Sequence, residues 1–198
     1  MADSLPGARA AWQHDRVPTH VALLRGINVG GRNKVAMADL RDVVTAAGHT
    51  DVATYIQSGN VVFTTKQTDT AALAAALEQR IKERLAVPAG VVVLSRTELA
   101  RVVADNPYPD EDNPKFLHAI FRTEKFGPKD RTALAAAEKK AHDKGSHDEA
   151  CVVGRTLFLH TPGGLGRSEL AAQLSRSSTG GTARNWATVA KLLAMLDA

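Results

Sequence analysis

The sequence predicts a mixed α/β (α+β) protein: two ferredoxin-like α/β units with antiparallel sheets, the second incomplete, followed by a C-terminal helix. Three observations predict it. Short apolar runs at residues 20–25, 52–57, 60–65 and 91–94 read as strands. Between them, residues 37–47 and 70–85 carry apolar side chains at helical spacing. The order β-α-β-β-α then returns from residue 116 onward, without a residue-level repeat.

Each element has its own signal. The helix at 37–47 places Leu40, Val43, Val44 and Ala47 on one stripe and ends at Gly48. Strands 52–57 and 60–65 are joined by the tight Ser58-Gly59 turn, and the helix at 70–85 aligns Leu73, Leu77, Ile81 and Leu85. Ser95-Arg96-Thr97-Glu98 is a capping box that opens a short helix, which stops before the turn-rich stretch from Asn106-Pro107 to Asn113-Pro114. The second unit reads as a strand at 116–122, a helix at 128–143 begun by Pro128, and strands at 149–153 and 156–160. Gly163-Gly164-Leu165-Gly166 leads into a helix at 167–176, and a last helix covers 185–196. The expected division is a disordered extension over 1–18, a β-α-β-β-α-β domain over 19–95, and a second unit over 96–198.

Composition bounds the function classes. Hydrophobic residues make up 44% and charged residues 23%, the balance of a globular chain rather than a disordered one. The net charge of +4 is compatible with anionic partners without demanding them. Cys151 is alone, which excludes an intramolecular disulfide and fits a cytoplasmic location. No run has the length of a signal peptide core or membrane span, so no membrane partner is expected. No cofactor is expected, and oligomeric state is left open.

The candidate site starts at the end of the first strand. Arg25-Gly26-Ile27-Asn28-Val29-Gly30-Gly31-Arg32-Asn33-Lys34 combines flexible backbone with cations, a composition suited to an anion such as phosphate. It is neither a P-loop, since Arg32 and Asn33 stand where Lys and Ser or Thr are needed, nor a dinucleotide fingerprint. Antiparallel pairing of strands one and three brings the hairpin residues Gln57, Ser58 and Asn60 beside Arg25 and Asn28. The candidate ligand-binding set is therefore Arg25, Asn28, Gly30, Gly31, Asn33, Lys34, Gln57, Ser58 and Asn60. Arg184 and Lys191 join it from one face of the last helix, shared with Thr188, which would close over the glycine loop. The alternative for the loop is a plain bend with asparagines bonded to local backbone, and for the hairpin a plain turn.

Other features carry weaker signals. The amides opening the helix after Gly166 are a second possible anion site, against the simpler reading of a loop-to-helix junction. His118 and His160 have the same strand parity and are expected on the sheet face away from the helices. No third ligand accompanies them, so no metal site is assigned. Familiar catalytic motifs are missing, so no catalytic residue is named.

Leu23-Leu24-Arg25-Gly26-Ile27-Asn28-Val29-Gly30-Gly31, Tyr55-Ile56-Gln57-Ser58-Gly59-Asn60-Val61, Asn106-Pro107, Gly166-Arg167-Ser168 and Arg184-Asn185-Trp186 together resemble the domain of unknown function 1697 family. The likeness runs from about His20 to Leu196. It implies a two-part α/β protein with ferredoxin-like halves and carries no activity with it. The chain departs from the family pattern at Arg32, Ala36 and Ala187, where lysine, proline and asparagine are common. The functional expectation is a protein that binds a phosphate-bearing ligand, a nucleotide or nucleic acid, at the basic glycine loop. The alternative is an enzyme on a small phosphorylated or carboxylated substrate, with Ser58 or a histidine for chemistry.

Overall fold

The computed structural model describes residues 17–176 and 181–198. The extension expected over residues 1–18 lies, up to residue 16, outside the described residues. The first unit runs β1 (His20–Arg25), α1 (Met37–Ala46), β2 (Thr50–Tyr55), β3 (Asn60–Thr64), α2 (Thr70–Leu85), β4 (Gly90–Ser95). Its sheet has the order β2-β3-β1-β4 with every pair antiparallel. β1 is central and apolar on both faces. Ala22 and Leu24 pack under Leu40, Val43 and Val44 of α1 and Leu73, Leu77 and Ile81 of α2, while Val21 and Leu23 point the other way. The Asp69 carboxylate starts α2 by accepting the amides of Ala71 and Ala72, both at 3.0 Å.

α3 (Arg96–Ala104) follows behind the expected capping box, with Ser95 and Glu98 bonded reciprocally. The second unit comprises β5 (Leu117–Phe121), α4 (Pro128–His142), β6 (Glu149–Val153), β7 (Thr156–His160), a 3₁₀ turn at Leu165–Arg167, α5 (Glu169–Arg176), β8 (Thr182–Asn185) and α6 (Trp186–Leu196). Its sheet order, β6-β7-β5-β8, repeats that of the first position by position. The second unit is therefore complete, contrary to expectation, and β8 is the element that closes it. Thr182-Ala183-Arg184-Asn185 has no apolar alternation of its own; pairing of Phe121 with Thr182 and His118 with Asn185 makes it a strand.

The two sheets face each other across a shared core. Val21, Leu23, Val62, Val92 and Leu94 of the first meet Ala119 and Phe121 of the second, with Leu99 of α3 and Val189, Leu192 and Leu196 of α6 filling the space between. The outer face of the second sheet packs Ile120, Leu157 and Leu159 against α4 and α5. This corrects the expected orientation of β5. Leu117 pairs with His160 and His118 with Leu159, so the two histidines lie on opposite faces. His118 faces α5 beside Ile120; His160 lies on the other face, its Nε2 2.7 Å from Glu111 and its ring stacked on Tyr108. Alternation within each strand was legible, but the interstrand register decides which residues share a face.

Burial lowers the pKa of His20, His49 and His118 below 6.5, and for His49 the nearby Arg80 lowers it further. The unfolded chain therefore binds more protons in the window between these lowered values and 6.5, and stability falls as pH drops through it. Thermal unfolding should show a plateau above about pH 6.5 and a declining Tm toward pH 5.5, before carboxylates titrate. His49→Gln should flatten that decline; an unchanged pH profile in the variant would show that these imidazoles do not govern it.

Candidate anion-binding cleft

The segment after β1 folds back on itself as a miniature hairpin. The Asn28 amide donates to the Asn33 carbonyl and the Arg32 amide to the Val29 carbonyl, both at 3.1 Å. Gly30 (φ 58°) and Gly31 (φ 76°) occupy the turn, where two successive left-handed residues are needed. The asparagine side chains are bonded to the backbone and hold the loop together. The Asn28 side chain accepts the Val35 amide at 2.9 Å and donates to the carbonyls of Val35 at 3.0 Å and Gln57 at 2.9 Å. Asn33 Nδ2 donates to the Gly26 carbonyl at 2.7 Å.

Asn28 thus ties this loop to the β2-β3 hairpin. There Ile56 (φ 49°) and Gly59 (φ 75°) are left-handed, and a β-branched residue in that conformation is strained. Asn60 Nδ2 donates to the Tyr55 carbonyl at 3.0 Å and to Ser58 Oγ at 2.9 Å. Its Oδ1 accepts from Nε of Arg184 on β8.

Arg184 joins the two units at this point. Nη1 donates to Thr182 Oγ1 and the Ala183 carbonyl, both at 2.8 Å. Nη2 reaches the carbonyls of Leu24 at 2.8 Å, Ser58 at 3.0 Å and Gly59 at 3.2 Å. Every N–H of the guanidinium is engaged, the side chain is buried, and its partners are all neutral. Burial pushes its pKa down to about 10, which still leaves it charged at neutral pH.

These elements enclose a cleft of about 530 Å³. The structure brings Arg25, Asn28, Gln57, Ser58 and Arg184 to its lining, with Asn60 bonded directly behind. Gly30, Gly31, Asn33 and Lys34 are outside the lining, on the exposed miniature hairpin. Lys191 is exposed on α6 and outside it too. The expected helix face of Arg184, Thr188 and Lys191 does not form: Arg184 belongs to β8, and Asn185 caps α6 by accepting the Thr188 amide at 2.9 Å. Thr182, Val29 and Ile56 also line the cleft and were not anticipated. Val29 is 70% and Ile56 51% exposed, unusual for such side chains, and Ile56, expected within a strand at 52–57, lies just beyond the end of β2 at Tyr55.

Among the described residues no carboxylate lies within ion-pair distance of Arg25 or Arg184. The second possible anion site, before α5, is already filled. Ser168 Oγ accepts the Ala171 amide and donates to Asp148, both at 2.8 Å, so an internal carboxylate occupies that helix start. No group of three potential metal ligands occurs among the described residues, and no described helix is long and apolar enough to cross a membrane.

The family described as protein of unknown function (DUF1697) matches residues 17–158. The chain belongs to this family. No curated protein matches it. It is similar to a solved structure, that of the conserved bacterial protein SP0830 from Streptococcus pneumoniae, with 25% identity and a TM-score of 0.70 over 90% of this chain and 98% of that one. Several residues behind the DUF1697 resemblance now have physical roles. Asn60 and Arg184 form the clasp between units, Asn185 and Ser168 cap helices, and Asn106 Oδ1 accepts the Tyr108 amide at 3.0 Å to shape the loop after α3.

Proposed function

We propose that the cleft between the miniature hairpin, the β2-β3 loop and β8 binds a phosphate-bearing ligand, a nucleotide or nucleic acid. The observation that carries this reading is the pair of guanidinium groups without a carboxylate partner. Arg25 is exposed and supplies donors. Arg184, with its donors spent on the protein, contributes an unneutralised buried charge that a bound anion would offset. Ser58 and the apolar tips Val29 and Ile56 add a hydroxyl and surface for a nonpolar moiety. The described lining contains no histidine, carboxylate, lysine or cysteine to move a proton, which favours binding over acid–base catalysis.

Calorimetric titration with adenosine monophosphate, and anisotropy with a labelled single-stranded oligonucleotide, test the reading. Arg25→Ala should weaken binding by about 1.5–3 kcal/mol, roughly 10- to 150-fold, with an unchanged Tm. Oligonucleotide binding through phosphates should also fall with salt at a slope near −0.7 per contact. Absence of binding by either probe at low salt, or equal affinity in the variant, would overturn it.

A further inference from the structure

On the other side of β8 a second cavity, about 460 Å³, opens between the outer face of the second sheet and α5. Its floor is His118, Ile120 and Leu159; Ala172 and Ser175 of α5 form a wall, and Leu165 stands at 41% exposure on the preceding turn. His118 is only 8% exposed, makes no hydrogen bond, and its buried Nδ1 has no partner. A buried imidazole left unsatisfied is costly unless something meets it. The lining hydroxyls are already committed: Ser168 Oγ donates to Asp148 at 2.8 Å and Ser175 Oγ to the Ala171 carbonyl at 2.7 Å. Among the described lining residues there is no lysine, arginine, aspartate or glutamate, so those residues offer no countercharge to an anion or a cation. Burial holds the His118 pKa below 6.5, and the neutral ring presents one donor and one acceptor nitrogen.

We propose that this cavity binds a neutral, mainly apolar small molecule carrying one hydroxyl, which hydrogen-bonds to His118. A hydroxyl both donates and accepts, so in either tautomer it suits Nε2, the ring nitrogen that is not sealed off as Nδ1 is, and the volume falls in the range of small-molecule pockets. The site is separate from the anion-binding cleft and does not depend on it.

The test compares p-cresol with p-xylene, which replaces the hydroxyl by a methyl of similar size. In ¹⁵N-resolved imidazole spectra of the full chain, p-cresol should shift the His118 ring signals. It should bind His118→Phe at least about fivefold more weakly than the native protein, while p-xylene shows no such loss. Ala172→Phe, which fills the cavity and leaves His118 in place, should block both compounds and serves if His118→Phe does not fold. Unmoved His118 signals at the solubility limit of p-cresol, equal p-cresol affinity in native and His118→Phe protein, or undiminished binding to Ala172→Phe would each overturn the proposal.

Discussion

Arg184→Met should lower stability by about 3 kcal/mol, a fall in Tm of roughly 6–12 °C for a chain of this size. Two opposing terms set that value. Removing the guanidinium relieves the cost of a buried charge with no anionic partner. It also strips the donor from Asn60 Oδ1 and from the Ser58 and Ala183 carbonyls, at about 1–3 kcal/mol for each group left unsatisfied. The carbonyls of Leu24 and Gly59 suffer less, because Thr182 Oγ1 and the Leu24 amide still donate to them. The orphaned acceptors outnumber what charge removal returns, so the loss wins. Arg184→Lys should lose most of the same stability, since one ammonium cannot span acceptors arranged around a planar fork. Thermal unfolding followed by circular dichroism measures both; a Tm within 2 °C of native for either variant would remove Arg184 from its role as clasp.

Gly59→Ala should cost about 2–4 kcal/mol and loosen the cleft. A Cβ at this position would lie 2.7 Å from Ile27 Cδ1 and 2.8 Å from Leu24 Cβ. Ile27 can swing its terminal carbon aside, but Leu24 Cβ is fixed by a strand, so the hairpin must move. The left-handed φ of 75° adds its own penalty for any L side chain. Moving the hairpin also disturbs the Gln57 and Ser58 carbonyls that Asn28 and Arg184 hold. A denaturant titration should show a lowered midpoint with an unchanged m-value. By contrast Gly26→Ala meets no atom within 4 Å, and only its φ of 81° opposes it, so it should cost less. Equal losses at the two positions would mean that close packing at Gly59 does not matter.

The sequence by itself determined the elements whose signals are local. The period of apolar residues placed β1, α2, β6 and β7, and the Ser95–Glu98 box placed α3, because propensity, capping and burial agree along those stretches. It also placed Arg25 beside the hairpin, since strand order follows from the β-α-β-β-α-β pattern. The glycine loop was legible as special backbone with two readings, a phosphate cradle or a bend with asparagines bonded to local backbone, because its composition serves both; the structure shows the bend and those bonds. Only the tertiary structure decided the rest. β8 is a strand because β5 pairs with it, and the faces of His118 and His160 follow from a register that no single strand encodes. Arg184 meets Asn60 across 124 residues, drawn into place by the packing of two sheets rather than by anything in its neighbourhood. Local signals fix what a segment becomes; the partners of a buried polar group are set by long-range packing, and here that packing shapes the cleft.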